Sequence, residues 1–391
     1  MKNKNLTPIL LIFIITNTAL FATQEQETIF DNMSLRGYVK GLPGMRLNKD
    51  FANPEFDNLI HHRLNFRWNI SGSFRFVAEG RNRLFYNSLF EDFPLFAETL
   101  DQDDGLLDLS WVYMDEGAWI GQSEIDRLYL DYTFNNWQFR AGRQRINWGI
   151  NLVSNPNDLF NTYSFFDFDY EERPGTDAVR AQYHLGFASR LEMAYSPAKE
   201  SKNSVAALLY TTNYKGYDLQ ALGGYYQNRS AVGLGWAGNI GGAGFKGEAT
   251  WFYDLEKTHG ERQSNLVAAT GVDYMFGTGT FAVLEFLYNG GFEPFHQIAL
   301  LMEQPLTPDN IMFSEYAITT SLQHPFTPIF SGTMAVMALP DQDSFFISPQ
   351  ASWSLITNLD LDILSQIFVG GDESLFQEAG SAWYLSLKYS F

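Results

Sequence analysis

Apolar and polar residues alternate along most of the chain with a period of two. In residues 381–391, one parity is apolar and the other mostly polar: Trp383, Leu385, Leu387, Tyr389 and Phe391 against Tyr384, Ser386, Lys388 and Ser390. Such alternation predicts a β-strand with one apolar face. The pattern recurs from residue 33 onward and is clearest in residues 245–254. We therefore predict an all-β chain.

Turn signals and connection lengths predict the number of strands. Short segments rich in Gly, Asn or Pro occur at 71–72, 135–136, 185–188, 213–216, 238–242, 277–279, 324–325 and near 358. They alternate with long connections at about 43–55, 86–122, 149–176, 255–263, 290–311 and 370–380. Because transmembrane barrels have short periplasmic turns and long outer loops, we predict a transmembrane antiparallel β-barrel of about 18 strands, with both ends in the periplasm. A barrel of about 16 strands is the alternative, since two of the hairpins could be loop structure.

A soluble β-sandwich would alternate in the same way, so the pattern alone does not decide the class of protein. Aromatic residues make up 16% of the chain, which is high for a soluble domain and suits the two aromatic girdles of a membrane barrel. Beyond the N-terminal segment, no run of about 18 apolar residues predicts a transmembrane helix. Composition therefore favours the barrel.

The N-terminal segment has the pattern of a secretory signal peptide. Lys2 and Lys4 precede an apolar stretch at 6–21, and the small residue Ala22 follows it. A membrane anchor is the alternative, but the apolar stretch is short and is interrupted by polar residues. We predict a signal peptide at 1–22 and a single barrel domain at 23–391. The chain has no Cys, which excludes disulfides, thiolate metal sites and lipoprotein attachment.

The segment 381–391 resembles the C-terminal strand of bacterial outer-membrane barrels, whose closing Phe is read by the barrel assembly machinery. The resemblance implies a place in the bacterial outer membrane, with Phe391 contacting that machinery. The expected surroundings are the lipid bilayer and lipopolysaccharide, and the expected ligand is a small hydrophilic solute. The net charge of −19 argues against a nucleic-acid partner. No cofactor is implied.

Arginine is concentrated in one part of the chain. Residues 63–180 contain eleven Arg and no Lys, and by parity most of them face the lumen, because an Arg facing lipid would cost about 2–4 kcal/mol. The guanidinium fork suits carboxylates and phosphates, which predicts a selectivity surface for anionic or polyhydroxylated solutes. The predicted pore-lining or solute-binding residues are Arg63, Arg67, Arg75, Arg81, Arg83, Arg127, Arg140, Arg143, Arg145 and Arg180. The alternative is a structural ladder of Arg with acids such as Glu79, Asp126 and Asp131.

The strand that begins at Trp137 contains a break in parity. Its first apolar residues share one parity, whereas Ile146 and Trp148 lie on the other. A β-bulge at Gly142 would explain the change. The alternative is that the strand ends near Arg143.

The connection after this strand alternates aromatic and acidic residues. We predict that residues 151–174 fold inward and narrow the pore opposite the arginines, as in porin constriction zones. The predicted constriction residues are Asp167, Asp169, Glu171, Glu172 and Arg173. The alternative is an outer loop that packs on lipopolysaccharide.

Two short motifs carry a family resemblance. Residues 142–149, with the sequence GRQRINWG, and residues 155–159, with the sequence NPNDL, resemble the signature of porin-like proteins in the alginate-export and related uncharacterised families. The Phe-rich, acidic composition is similar to that of Bacteroidota-type barrels. The resemblance implies an 18-stranded barrel that conducts small anionic or sugar-like solutes.

Other classes of function have weaker signals. Residues 91–126 hold eleven acids and no base, but Val112 stands where an EF-hand needs its closing Glu. The six His lie in no nucleophile motif, so we expect no enzyme activity. The alternative to a channel is a non-conducting barrel that acts as a surface binding protein or as a subunit of an outer-membrane complex.

Overall fold

The computed structural model describes residues 32–50, 54–91, 95–103, 105–162, 173, 175–256, 263–292, 306–372 and 374–391. The predicted signal peptide at 1–22 lies outside the described residues and stays a prediction. No helix in the described ranges is long and apolar enough to cross a bilayer.

The described chain is almost entirely β-structure. The strands are β1 Met33–Leu47, β2 Glu55–Asn69, β3 Phe74–Asn87, β4 Ser110–Glu116, β5 Trp119–Phe134, β6 Trp137–Gln144, β7 Thr176–His184, β8 Arg190–Ser196, β9 Val205–Tyr214, β10 Tyr217–Tyr226, β11 Arg229–Ile240, β12 Ala243–Asp254, β13 Ser264–Met275, β14 Phe281–Asn289, β15 Tyr316–Thr327, β16 Phe330–Leu339, β17 Ser344–Ile356, β18 Leu359–Gly370 and β19 Ser381–Ser390. One α-helix, α1, spans Leu95–Asp101. Three short 3₁₀ turns occupy Ser88–Glu91, Ser201–Asn203 and Pro340–Gln342.

The strands close into a barrel because the first strand pairs with the last. The β1–β19 register runs from Tyr38 opposite Ser390 to Leu47 opposite Ser381. Every other strand pairs antiparallel with its neighbours in the chain, except that β3 pairs with β5 directly. The short β4 lies beside only the first part of β5, beyond the end of β6. The ring therefore has 18 strands, as the sequence predicts.

Alternation sorts the side chains as expected for a membrane barrel. On β19, Trp383, Leu385, Leu387 and Tyr389 are exposed on the outer face, whereas Ala382, Tyr384 and Ser386 are buried on the inner face. On the opposite wall, the outward Leu234 is 62% exposed. Such an apolar exterior is the surface that a barrel presents to lipid.

Turn chemistry accounts for eight short connections of two to five residues at one end of the barrel. Two further short connections, at 227–228 and 340–343, lie at the opposite end. In the two-residue turn at 135–136, Asn135 adopts a φ of 51°, a left-handed conformation that Asn tolerates. The turn predicted at 324–325 lies instead at 328–329, because β15 passes through Pro325 with an irregular register. The long connections lie at the opposite end. The first of them is shorter than predicted, because β1 extends to Leu47.

The bulge predicted at Gly142 is wrong. The register between β5 and β6 is continuous from Leu128 opposite Arg143 to Phe134 opposite Trp137, and β6 ends at Gln144. Gly142 nevertheless has a φ of 117°, and a Cβ there would lie 2.1 Å from the carbonyl oxygen of Leu128. A bulge occurs in β5 instead, where the register with β3 skips Asp126. The parity break in the sequence marks the end of β6 and the start of a segment that turns into the barrel.

Part of the barrel interior is an apolar core. Inward side chains of the wall from β7 to β17, such as Leu209, Phe252 and Met337, pack with Ile146 and Trp148 of the connection after β6. This half of the interior is therefore packed around a loop, and the polar groups concentrate on the other half.

Candidate solute pathway

Cationic side chains lie side by side on the inner faces of the strands from β2 to β7. Their outward neighbours, such as Leu130 and Phe139, are exposed and apolar. One row consists of register partners from five strands: Asn69, Arg75, Asp131, Arg140 and Arg180. A second row pairs Arg63 with Arg81 and Arg81 with Glu124. Since register partners project from the same side of a sheet, the strands bring most of the predicted arginines together.

Many of these arginines are neutralised by acids of the same wall. The ion pairs are Arg63 with Glu79 and Asp126, Arg81 with Glu124 and Asp126, Arg83 with Glu124, Arg140 with Asp131, and Arg180 with Glu192. Arg75 donates to Asn69 Oδ1 at 3.0 Å, and Arg67 is exposed. Such pairing is what a structural ladder requires.

Arg143 is held by two other parts of the chain. Its Nε donates to Asp177 Oδ1 at 2.9 Å, and its Nη1 donates to Asp103 Oδ2 at 2.7 Å. Its Nη2 also donates to the carbonyl oxygen of Leu107 at 2.6 Å. These bonds join the end of β6 to β7 and to the segment before β4. The guanidinium is therefore occupied by contacts within the wall.

The connection after β6 folds into the barrel over its described residues, 145–162. We call residues 146–161 the inner segment. It is closed on itself, because the backbone N–H of Ile146 donates to Asn161 Oδ1 at 2.8 Å. Trp148 also donates through its backbone N–H to Asp158 Oδ1 at 3.3 Å.

Three buried glutamates hold the inner segment: Glu192 on β8, next to the arginine-bearing strands, and Glu248 and Glu285 on the opposite wall. Glu192 on β8 accepts from Trp148 Nε1 at 2.8 Å, and Glu248 on β12 accepts from the Ile150 backbone N–H at 3.0 Å. Glu285 on β14 accepts from the backbone N–H groups of Val153 at 3.1 Å and Ser154 at 2.7 Å. Gln220 on β10 adds a bond to the Trp148 carbonyl oxygen at 2.9 Å. These three glutamates are therefore turned toward the loop.

These anchors were not identified from the sequence. The sequence carries a weak signal for one of them: Glu285 is the lone acid on the inward parity of β14, whereas Glu248 shares the inward parity of β12 with Lys246 and Asp254. A buried lone carboxylate needs donors, which predicts that something covers it. The identity of the donors depends on contacts across roughly a hundred residues of chain, which alternation does not report.

A cationic cluster lies between the inner segment and the arginine rows. No carboxylate of the described residues lies within ion-pair distance of Arg127 or Arg145. Arg127 donates to the carbonyl oxygens of Asp126 and Arg173. Arg145 donates to Asn147 Oδ1 at 2.9 Å, and its buried Nε has no hydrogen-bond partner among the described residues. Arg145 is half-buried, and Arg127 is 8% exposed. Together with the exposed Arg67 and Arg75, for which no carboxylate of the described residues lies within ion-pair distance either, they are among the guanidinium charges of the described lumen that we expect to act on a passing anion.

Asp158 is the acid of this cluster, and it lies in the loop between β6 and β7. It is fully buried, and its Oδ2 lies 3.6 Å from Arg173 Nη1. Burial raises the pKa of Asp158 to about 7, while the Trp148 N–H and the charges of Arg173 and Arg145 act in the opposite direction. The predicted constriction acids Asp167, Asp169, Glu171 and Glu172 lie outside the described residues, whereas Arg173 is described and faces Asp158.

The raised pKa of Asp158 predicts a pH effect on ion selectivity. The pKa of Asp158 in the folded protein lies above the ordinary value of 3.8. The contribution of Asp158 to the free energy of unfolding is therefore complete below about pH 4 and is lost as the pH rises through about 7. Protonation between pH 8 and pH 6 also removes a negative charge beside Arg145 and Arg173. We expect anion preference, measured by reversal potential in planar bilayers, to increase over this range.

The control for this effect is Asp158→Asn, which is neutral at both pH values. It should show high anion preference already at pH 8 and a smaller change on acidification than the unmodified protein. Equal pH responses in the two proteins would exclude Asp158 as the titrating group.

No group of three or more His, Cys, Asp or Glu side chains in the described part of the chain is arranged to hold a metal ion.

Comparison with known proteins gives the fold. No family model matches the chain, and no curated protein matches it by sequence. Among solved structures, it is similar to OccK11 (OpdR) of Pseudomonas aeruginosa, with a TM-score of 0.60, 9% identity, and coverage of 92% of this chain and 96% of that one. It is also similar to OccAB2 of Acinetobacter baumannii, with a TM-score of 0.59, 11% identity, and coverage of 94% and 99%. It is similar as well to the outer membrane protein opdK of Pseudomonas aeruginosa, with a TM-score of 0.59, 7% identity, and coverage of 92% of this chain and 99% of that one.

The fold is that of an outer-membrane porin. An apolar exterior on a closed barrel is the surface that a membrane-spanning barrel presents to lipid. At these identities the likeness concerns the fold alone, so the function has to be argued from the lumen.

Proposed function

We propose that the chain is an outer-membrane channel for passive diffusion of small hydrophilic solutes, with a preference for anionic or sugar-like ones. Porin-like architecture supports the general function. The preference rests on the residues of the lumen, and no enzyme activity is part of the proposal.

The asymmetry of the lumen is the observation that carries this proposal. The acids Glu192, Glu248 and Glu285 are buried against the inner segment, so their charges are withdrawn from the lumen on that side. On the other side, Arg127 and Arg145 lack carboxylate partners among the described residues. Guanidinium groups bind carboxylates and phosphates in bidentate geometry and also donate to hydroxyl groups. A solute passing between the two sides would therefore meet donors and positive charge.

A non-conducting barrel is the second candidate, and a specific observation favours it. Both α1 and the inner segment pack on the inner wall: Phe96 of α1 contacts Phe85 of β3, and the Leu100 carbonyl oxygen accepts from Gln122 of β5. Arg63 and Asp126 are each only 1% exposed. A lumen that is filled at this level would bind a solute without passing it.

The narrower resemblance to the alginate-export and Bacteroidota-type families stays a prediction. It concerns residues 142–149 and 155–159, and in the structure these residues form the end of β6 and part of the inner segment. The contacts of Trp148 and Asp158 give a physical reason for such a motif, because both residues hold the inner segment in place. The contacts of Phe391 with the assembly machinery, and of the outer loops with lipopolysaccharide, likewise stay predictions.

Replacing Arg127 and Arg145 by Ala tests the anion preference. Removing two charges that lack acidic partners among the described residues should lower the anion-to-cation permeability ratio by roughly two- to fivefold, because the potential is screened in a wet lumen. The measurement is the reversal potential in a salt gradient. The matched control is Lys215→Ala, which removes a positive charge from an exposed turn at the rim.

An unchanged permeability ratio in the double variant, with conductance retained, would assign these arginines to a structural role. Absence of conductance in the unmodified, folded protein would favour the non-conducting barrel.

A further inference from the structure

A row of polar side chains crosses the outer face of the barrel on β2, β3 and β5. His62, Asn82 and Ser123 are register partners on these three strands. His62 and Asn82 share the outer face with Val39 and Ile60, which are 42% and 41% exposed, whereas Ser123 is buried beside its register partner Trp111 of β4. The inner face at this level is taken by Arg63, Arg81 and Gln122. We call His62, Asn82 and Ser123 the outer polar row. Outward positions on the far wall, such as Leu234 and Leu284, are apolar and exposed.

The outer polar row is joined by its own hydrogen bonds. Asn82 Nδ2 lies 3.5 Å from His62 Nδ1, and Ser123 Oγ donates to Asn82 Oδ1. When the amide donates to Nδ1, the ring proton is on Nε2 and can be donated elsewhere. Asn58, two outward positions above His62 on β2, has a buried Oδ1 with no hydrogen-bond partner among the described residues. The patch therefore retains hydrogen-bonding capacity that the described part of this chain does not use.

The depth of the row decides what can cover it. On β2, His62 is six residues from Phe56 and six from Trp68, which are the outward aromatic residues near the two ends of the strand. Six residues of a strand tilted by about 45° span about 14 Å along the membrane normal. Since the hydrocarbon layer is about 30 Å thick, the row lies near its centre. Lipid headgroups and bulk water do not reach this depth, and acyl chains offer no hydrogen bonds.

We propose that the outer polar row is an interface with a second copy of this chain. In two copies inserted in the same orientation and related by a two-fold axis along the membrane normal, equivalent residues lie at equal depths. The outer polar row of one copy therefore faces the outer polar row of the other. The chemistry is self-complementary at that depth: the His62 Nε2–H of one copy meets the Asn82 amide oxygen of the other. Close approach is possible on the side of the row away from Trp111 of β4, because Gly41 on β1 would have open space even with a Cβ, and Gly80 on β3 is the next outward residue below Asn82. Interhelical contacts in membranes use the same combination of small and polar residues.

The inference concerns the outer face, and it stands whether or not the lumen conducts. The chain has no native Cys, so a single introduced Cys reports contact between copies. Ile60→Cys lies beside the row, and Leu234→Cys provides a matched exposed position on the far wall. We expect oxidation of the full-length protein in outer membranes to yield a disulfide-linked species of twice the mass with Ile60→Cys and at least tenfold less of it with Leu234→Cys.

A second variant separates the row from the rest of the surface. In the Ile60→Cys background, His62→Leu with Asn82→Leu removes the hydrogen-bonding groups and leaves an apolar exterior that a single barrel tolerates. Cross-linking should then fall at least tenfold, whereas Thr270→Val, an outward hydroxyl bonded within its own wall, should leave it unchanged. Three outcomes would each overturn the proposal: equal cross-linking of the Ile60→Cys and Leu234→Cys variants, cross-linking that survives the double substitution, or a product with a different protein.

Discussion

Replacing Asp126 by Asn is expected to destabilise the barrel by about 3 kcal/mol, because it removes the buried carboxylate shared by Arg63 and Arg81 and leaves each with a single acid, Glu79 or Glu124. Asp126 is the bulged residue of β5, and the bulge directs its carboxylate to both Arg63 and Arg81. Arg63 is 1% exposed, so water cannot replace the lost charge. Asn has nearly the same volume as Asp, which confines the change to electrostatics and hydrogen bonding.

The measurement is urea unfolding in detergent micelles, followed by tryptophan fluorescence and by the shift in electrophoretic mobility of the folded barrel. The matched control is Asp218→Asn, which makes the same change at an exposed residue bonded to Asn213 near a short turn. A difference of less than about 0.5 kcal/mol between the two variants, which is typical of surface substitutions, would contradict the role assigned to Asp126.

Replacing both Glu248 and Glu285 by Ala is expected to release the inner segment and to raise single-channel conductance severalfold. The two carboxylates accept three backbone N–H bonds from residues 150–154. Hydrogen bonds to a charged group contribute about 1.5–3 kcal/mol each. The bonds to Glu192, Gln220 and Thr250 that remain hold Trp148 and residues 156–157, so residues 150–154 between them lose these wall anchors. Because the segment lies inside the barrel, its displacement widens the lumen.

Asp273→Ala is the matched control for this effect. Asp273 lies on β13, between the two anchoring strands, and pairs with Lys246 rather than with the inner segment. The Asp273→Ala substitution removes a negative charge from the same wall without freeing the inner segment, so it should change ion selectivity more than conductance. Unchanged conductance in the folded double variant would show that the segment does not limit the path, or that other contacts hold it.

Much of the fold follows from local features of the sequence. Period-two alternation assigns the strands, and the turn residues fix their ends, as Asn135 does between β5 and β6. The regular sequence of short and long connections then implies the even number of strands. The prediction from alternation was wrong where the chain departs from a regular strand. The extra strand β4 lies within a predicted loop, and the bulge at Asp126 falls in a strand that reads as regular.

The candidate site is harder to predict because its chemistry depends on partners far apart in sequence. Parity indicates that Arg63 and Arg81 face the lumen, but it does not reveal that Asp126 neutralises both. The inward course of the loop was predicted from its aromatic and acidic residues. Its anchors depend on Glu248 and Glu285, which lie roughly a hundred residues away and meet the loop only when the barrel has closed. Charge count alone therefore overstates the number of arginines available to a solute.

The most direct test of the central claim is the reversal potential of the unmodified protein in a planar bilayer under a KCl gradient. Since K⁺ and Cl⁻ are similar in size and mobility, the sign of the potential reports the charge of the lumen that the ions encounter. Arg127 and Arg145 lack carboxylate partners in the described part of the chain, whereas the glutamates of the opposite wall are buried. This asymmetry predicts a potential displaced toward that of Cl⁻. A displacement toward K⁺, or no conductance from folded and inserted protein, would contradict an anion-preferring channel.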